Sequence, residues 1–105
     1  MTKKYIIKKL RELKPKYEND GLLIIGLFGS MAKNRNNCFS DIDIAYQIDY
    51  NIFSKKFKDG FSKILKIENI KDELEQIFKT KVDFISLNSN NSIFIDRITK
   101  EMIYV

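Results

Sequence analysis

The chain has 105 residues, of which 44% are hydrophobic and 31% charged, and its 19 basic and 14 acidic residues give a net charge of +5. This composition is typical of a soluble globular protein, and the length predicts one domain that spans residues 1–105. No stretch approaches the roughly 20 apolar residues of a membrane span, so no membrane association is expected. The absence of histidine excludes a histidine-based zinc site or catalytic triad.

The basic residues are mostly lysines spread along the predicted helices, which is typical of solvated helix faces. A surface that binds nucleic acid directly would also need exposed aromatic side chains beside the basic groups, so direct nucleic-acid binding is not expected. The single cysteine, Cys38, cannot form an internal disulfide. The chain is therefore expected in a reducing cytoplasm.

The first elements in chain order are a helix and a buried strand. Thr2 can cap a helix that runs to about Leu13, and Pro15 interrupts this helix or begins a further turn. The polar sequence at residues 19–21 then turns the chain. The apolar run Leu22–Phe28 predicts the first strand.

A glycine-serine pair separates this strand from a second one. Gly29 and Ser30 end the apolar run and open a short helix near Ser30–Lys33, and a polar loop follows over residues 34–40. From Asp41 to Gln47 apolar and polar residues alternate, which predicts a second strand with one apolar face.

The second half of the chain alternates helices and strands again. Residues 49–59 are predicted as a loop or short turn, and 60–79 as a long helix, because seven apolar residues recur there at helical spacing: Phe61, Ile64, Leu65, Ile70, Leu74, Ile77 and Phe78. The third strand is predicted at 81–87, after which the turn at 88–92 can cap a final helix over 93–100. Residues 102–105 predict a short edge strand.

Two acids stand out on the second strand. Side chains two apart on a strand point the same way, so Asp41 and Asp43 project side by side from one face. Adjacent carboxylates repel each other, and a hard divalent cation such as Mg²⁺ would relieve that repulsion. The alternative is that both are solvent-facing acids on an edge strand.

The run Gly29-Ser30, ten residues, Asp41-Ile42-Asp43 resembles the signature of the DNA polymerase β-like nucleotidyltransferases. The small size points to the minimal nucleotidyltransferase branch of that superfamily. The element order alone suggests a parallel α/β sheet. The resemblance implies instead an α+β fold with a small mixed sheet of about four strands and helices packed mainly on one face, and the short first connection favours this fold.

The resemblance also implies the site residues. Asp83, the acid inside the predicted third strand, matches the third carboxylate of the superfamily. Asp41, Asp43 and Asp83 would be the catalytic residues and the ligands of two Mg²⁺ ions, with Mn²⁺ as a substitute, and Asp83 would help to remove the proton of the attacking hydroxyl. The alternative for Asp83 is an exposed acid paired with Lys81.

Gly29 and Ser30 would hold the phosphates of the nucleotide donor, ATP, because glycine admits close approach and a helix N-terminus attracts anions. The alternative is an ordinary strand-to-helix turn. Lys33 and Arg35 either add positive charge to this site or are solvated loop residues. Arg97, on the last predicted helix, could face the site or a partner.

The resemblance implies a nucleotidyltransferase that acts as the antitoxin of a toxin–antitoxin pair. In that role it would bind a HEPN-domain ribonuclease toxin as a hetero-oligomer and transfer AMP from ATP to a tyrosine of the toxin. Two alternatives remain open at this stage. One is an antitoxin that acts by binding and occlusion with little or no catalysis, and the other is a small-molecule nucleotidyltransferase.

Overall fold

The computed structural model describes residues 2–29, 41–88 and 91–105. Within these ranges the chain forms four helices and four strands. In chain order they are α1 (Lys3–Glu18), β1 (Leu22–Phe28), β2 (Ile42–Ile48), α2 (Tyr50–Lys56), α3 (Gly60–Phe78), β3 (Val82–Ser86), α4 (Ser92–Lys100) and β4 (Ile103–Tyr104). The helix and loop predicted for residues 30–40 lie outside the described residues.

The four strands form one mixed sheet in the order β3-β2-β1-β4. β1 pairs antiparallel with both β2 and β4, whereas β2 and β3 run parallel. A parallel pair needs a long crossover connection, and α2 and α3 supply it here. The mixed sheet and the edge position of the last strand confirm the α+β fold predicted from the sequence.

The two faces of the sheet are covered unequally. On one face α1, α2 and α3 pack over the strands and build the larger core, which includes Leu10, Phe53 and Leu74. On the other face α4 packs against a smaller cluster around Ala45 and Ile98. Helices therefore lie mainly on one side, and the sheet face beneath α4 is the less covered one. No helix within the described ranges is long and apolar enough to span a bilayer.

A bulge in β1 decides which side chains reach the smaller cluster. Ile24 pairs with Tyr46 and Gly26 pairs with Ala45, so the residue between them, Ile25, has no partner of its own on β2. The extra residue shifts the alternation of the strand by one position. As a result Phe28 packs on the α4 face, opposite Asp43 in the register.

Most element boundaries differ from the sequence prediction by about a residue, and the end of α1 differs by five. The helix does not stop near Leu13 but continues through Pro15 to Glu18. Proline removes one backbone hydrogen bond, but the turn beyond it is held by Tyr17, which is buried and donates a 2.6 Å hydrogen bond to Glu73 on α3. The tertiary contact outweighs the local preference.

The loop predicted at residues 49–59 was wrong, because α2 occupies most of it. The Asp49 side chain caps this helix by accepting from the Asn51 N–H at 3.0 Å, and Phe53 is buried in the main core. A seven-residue helix with one buried side chain gives little periodic signal in a sequence.

The long helix was predicted correctly in type, but its apolar residues do not share one face. Ile70, Leu74 and Phe78 are buried against the sheet, whereas Phe61, Ile64 and Leu65 are exposed. The helix ends at Phe78, one residue before the end predicted from the sequence, because the next residue, Lys79, adopts a left-handed conformation (φ 55°).

Candidate active site

The centre of the candidate site is a pair of carboxyl groups on neighbouring strands. Asp43 of β2 lies directly opposite Asp83 of β3 in the parallel register, and the two side chains share a hydrogen bond. Both are half-buried on the sheet face that α4 covers in part. Two carboxyl groups can be bonded to each other only if one holds a proton, so the pair shares a proton when the pH falls to the raised pKa of Asp43 or below.

The electrostatics of Asp43 reflect this arrangement. Burial above all, then the hydrogen bond and charge of Asp83 and last the charge of Asp41 together raise the pKa of Asp43 to about 6. The burial comes in part from the apolar cluster beside the pair, which includes Phe28 and Ile85. The pair is therefore a place where extra positive charge would be stabilised.

Gly29 is held against this pair for a reason that the sequence did not reveal. It has a left-handed φ of 74°, and a Cβ at this position would collide with Oδ2 of Asp43. The bare backbone of Gly29 thus packs on the Asp43 carboxyl group. That Gly29 makes room for a phosphate remains a prediction from the sequence, and the structure adds that it makes room for the Asp43 carboxyl group.

Asp41 lies just before β2, half-buried, and acts on Asp43 through its charge. Within the described ranges no three acids or cysteines stand close enough together to hold a metal ion, so Asp41 does not close a trio with Asp43 and Asp83. The paired carboxyl groups themselves have the chemistry of a Mg²⁺ or Mn²⁺ site, since these ions prefer carboxylate oxygens and would replace the shared proton.

Of the remaining residues considered for the site, Arg97 is the one that lies within the described ranges. Ser30, Lys33 and Arg35 lie outside the described residues. Arg97 is exposed on α4 and helps to line a cavity of about 350 Å³, together with Ile93, Asp96, Lys100 and Glu101. Among the described residues neither acid of the pair lines that cavity.

The apolar wall beside the acids was missed by sequence reasoning. Met102 and Ile98 are buried on the α4 face, and Leu87 packs against them from the end of β3. A signal was available in α4, where Ile95 and Ile98 lie on one side of a short helix. That spacing does not predict which face of the sheet the helix covers.

A small mixed sheet with two acids in register on adjacent strands defines the class as nucleotidyltransferase. The chain belongs to the polymerase β nucleotidyltransferase family, whose family model matches residues 8–105. This confirms the family expected from the Gly29-Ser30 and Asp41-Ile42-Asp43 motif, and it identifies the chain as an enzyme of the nucleotidyltransferase type.

Relatives of similar length occur in Methanocaldococcus jannaschii. The putative protein adenylyltransferase MJ0126 is 33% identical over 104 residues, which cover 98% of this chain and 93% of that protein. The putative protein adenylyltransferase MJ0435 is 32% identical, over 90% of this chain and 91% of its own length. Both likenesses thus extend over nearly the whole of each protein.

Two solved structures share the fold. One, a putative minimal nucleotidyltransferase, has a TM-score of 0.76 at 17% identity and covers 100% of this chain and 97% of its own. The other, from a toxin–antitoxin with AMP-PNP, has a TM-score of 0.62 at 24% identity and covers 99% of this chain and 72% of its own. They confirm the architecture of a minimal nucleotidyltransferase.

Proposed function

We propose that this chain is a metal-dependent adenylyltransferase that moves AMP from ATP to a tyrosine hydroxyl of a HEPN ribonuclease and so acts as an antitoxin in the cytoplasm. The observation that carries the proposal is the Asp43–Asp83 pair, which stands in register on one sheet face. Two acids held this close are costly to keep ionised without a cation.

The three acids would bind the divalent cations together. Asp43 and Asp83 would hold the divalent cations, and Asp41, on the same side of its strand, would complete the set after a side-chain rotation. When bound, two Mg²⁺ ions would neutralise the triphosphate and polarise the reacting oxygens. Gly29, which already adjoins Asp43, and Ser30 would border the phosphates, with Lys33 and Arg35 adding charge.

The proposed reaction is an in-line displacement. The tyrosine oxygen attacks the α-phosphorus of ATP, and the bond from that phosphorus to the β-bridging oxygen breaks. Pyrophosphate leaves with the electron pair, and the hydroxyl proton passes to Asp83, the acid proposed to lie near the attacking oxygen. The apolar cluster around Ile98 would limit water on one side of the site and so reduce ATP hydrolysis.

The choice of a protein acceptor rests on the comparisons. The M. jannaschii relatives are named as protein adenylyltransferases, and one structure with this fold belongs to a toxin–antitoxin that holds an ATP analogue, AMP-PNP. A HEPN ribonuclease is the partner that the minimal nucleotidyltransferase resemblance implies. Together they favour a hetero-oligomer of this chain with its toxin over a small-molecule acceptor.

Intact-mass spectrometry tests the proposal. The wild-type protein, incubated with a HEPN ribonuclease, ATP and Mg²⁺, should make the ribonuclease heavier by one or more AMP units. Asp41→Asn should abolish this shift and leave the complex intact, because a metal ligand need not be an interface anchor. Asp96→Asn is the matched control, since Asp96 is an exposed acid on α4 that is not part of the proposed ligand set.

The outcomes separate the candidate functions. No added mass with the wild-type protein would refute the catalytic proposal. An Asp41→Asn variant that still protects cells fully from the toxin would show that occlusion rather than AMP transfer is the mechanism.

A further inference from the structure

The helix α3 carries apolar residues on two opposite sides, although only one side faces the core. Ile70 and Leu74 are buried against the sheet. Phe61, Ile64 and Leu65, at spacings of three and four residues that place them on one side of the helix, are 76%, 65% and 48% exposed. We call Phe61, Ile64 and Leu65 the outer stripe.

Exposed apolar residues are ordinary when scattered, but three neighbours on one helix side indicate a surface that is covered in use. The outer stripe belongs to the first turns of α3, which extend away from the connection to β3. Gly60, at the start of the helix, has no atom near the position of an added Cβ. The stripe is therefore open to an approaching partner.

Charged residues of opposite sign lie beyond the two ends of the outer stripe. Glu68 and Asp72 continue the outer stripe at spacings of three and four residues, and both are exposed. At the other end Lys58, also exposed, precedes the helix. Within the part of the chain that the structure describes, no ion pair is formed by Lys58, Glu68 or Asp72.

We propose that a second copy of this chain covers the outer stripe, with the two α3 helices packed antiparallel about a two-fold axis near Ile64. A two-fold interface brings the same patch of both copies together. In an antiparallel helix pair the outer stripes of the two copies would contact each other. Lys58 of one copy would then lie near Glu68 and Asp72 of the other. A partner of uniform charge would face a like charge at one end of the stripe.

The position of α3 makes such a dimer compatible with an active enzyme. The helix packs on the sheet face with the larger core, and the Asp43–Asp83 pair lies on the opposite face. Dimerisation through α3 would leave both acid pairs accessible from outside the dimer. The inference does not depend on the acceptor or on the chemistry proposed above.

Sedimentation equilibrium of the full chain over a range of concentrations tests the inference. The wild-type protein should be a dimer, and Ile64→Asp should raise its dissociation constant by about tenfold or more, because a central apolar contact dominates an interface of this kind. Ile93→Asp is the matched control, since Ile93 is also 76% exposed but lies on α4. It should dimerise like the wild type.

A charge swap tests the antiparallel arrangement. Lys58→Glu alone should weaken the dimer by roughly two- to tenfold, because each interface would contain the changed position twice. Adding Glu68→Lys should restore dimerisation in part or in full. Circular dichroism should show the same helix content for all variants.

Three results would overturn the inference. They are a wild-type protein that stays monomeric at high concentration, a dimer that Ile64→Asp leaves intact, and a double charge variant that dimerises more weakly than Lys58→Glu alone.

Discussion

At the scale of single residues, the position of Asp43 depends on a neighbour without a side chain. Gly29 follows β1 and touches the Asp43 carboxyl group, because Phe28 is paired with Asp43 in the sheet. The spacing of Asp41 and Asp43 predicted that they share a strand face. The contact between Gly29 and Asp43 could not be predicted, since it depends on the register in which β1 and β2 pair.

Replacing Gly29 with alanine should therefore destabilise the protein and disturb the acid pair. The new Cβ meets Asp43 Oδ2, and the left-handed φ is unfavourable for alanine, so we expect a loss of about 1–3 kcal/mol in the free energy of unfolding. Urea denaturation measures this quantity. Gly60→Ala is the control, because nothing lies near an added Cβ there. Equal stability of the two variants would contradict the proposed role of Gly29.

The shared proton predicts how stability changes with pH in metal-free protein. The pKa of Asp43 is raised from its ordinary value of 3.8 to about 6 in the folded state, first by burial and then by Asp83. Its contribution to stability is fully present below the unfolded pKa and is lost as the pH rises through about 6.

The measurement is the free energy of unfolding of the wild type minus that of Asp43→Asn, without divalent cations, between pH 4 and pH 7. The difference should fall as the pH rises, because only the wild type loses the shared proton. The subtraction removes the contributions of Asp20, Asp59 and Glu73. Their pKa values are lowered, by hydrogen bonds above all, so these groups make the protein more stable as the pH rises. A difference that is flat or rises would argue against a shared proton.

At the scale of elements, the sequence correctly predicted the helices and strands that have a strong pattern of apolar residues. The apolar run of β1 and the apolar spacing of α3 identified both elements, and their bounds agree with the structure to within about a residue. The elements that depend on distant contacts were missed or cut short. α2 is held by the burial of Phe53, and the last turn of α1 is held by the contact of Tyr17 with α3.

Tyr17→Phe tests the contact that holds the end of α1. Its hydroxyl donates to Glu73, which also pairs with Lys16 at 2.6 Å, so removal of the hydroxyl breaks one of the two polar contacts of Glu73 with α1. We expect a loss of about 1 kcal/mol in the free energy of unfolding. Tyr5→Phe is the control, since Tyr5 is exposed on the same helix. Similar losses in both variants would indicate a general effect of the substitution.

At the scale of the whole molecule, the two faces of the sheet have different roles. Three helices on one face form most of the core, and the other face holds the acid pair beneath the partial cover of α4. The protein has a net charge of +5, but the charged residues at the pair are acidic. Binding of a cation at this one place should therefore be visible in the stability of the entire fold.

Mg²⁺ should stabilise the wild-type protein against heat, because a ligand that binds only the folded state shifts the unfolding equilibrium by mass action. At a concentration about ten times the dissociation constant, the gain is roughly 1.4 kcal/mol, which amounts to several degrees in Tm for a chain of this size. Differential scanning calorimetry at pH 7, with NaCl matched for ionic strength, measures the shift.

Asp83→Asn should lose most of this shift, because it removes a charged oxygen from the proposed ligand set and leaves the shape of the side chain nearly unchanged. Asp96→Asn should keep it, since Asp96 lies on the solvent side of α4. ATP added with Mg²⁺ should raise the Tm of the wild type further, and much less that of Asp83→Asn. If Mg²⁺ raised the Tm of the wild type and of both variants by the same amount, the cation would bind elsewhere on the surface and the Asp43–Asp83 pair would not be its site.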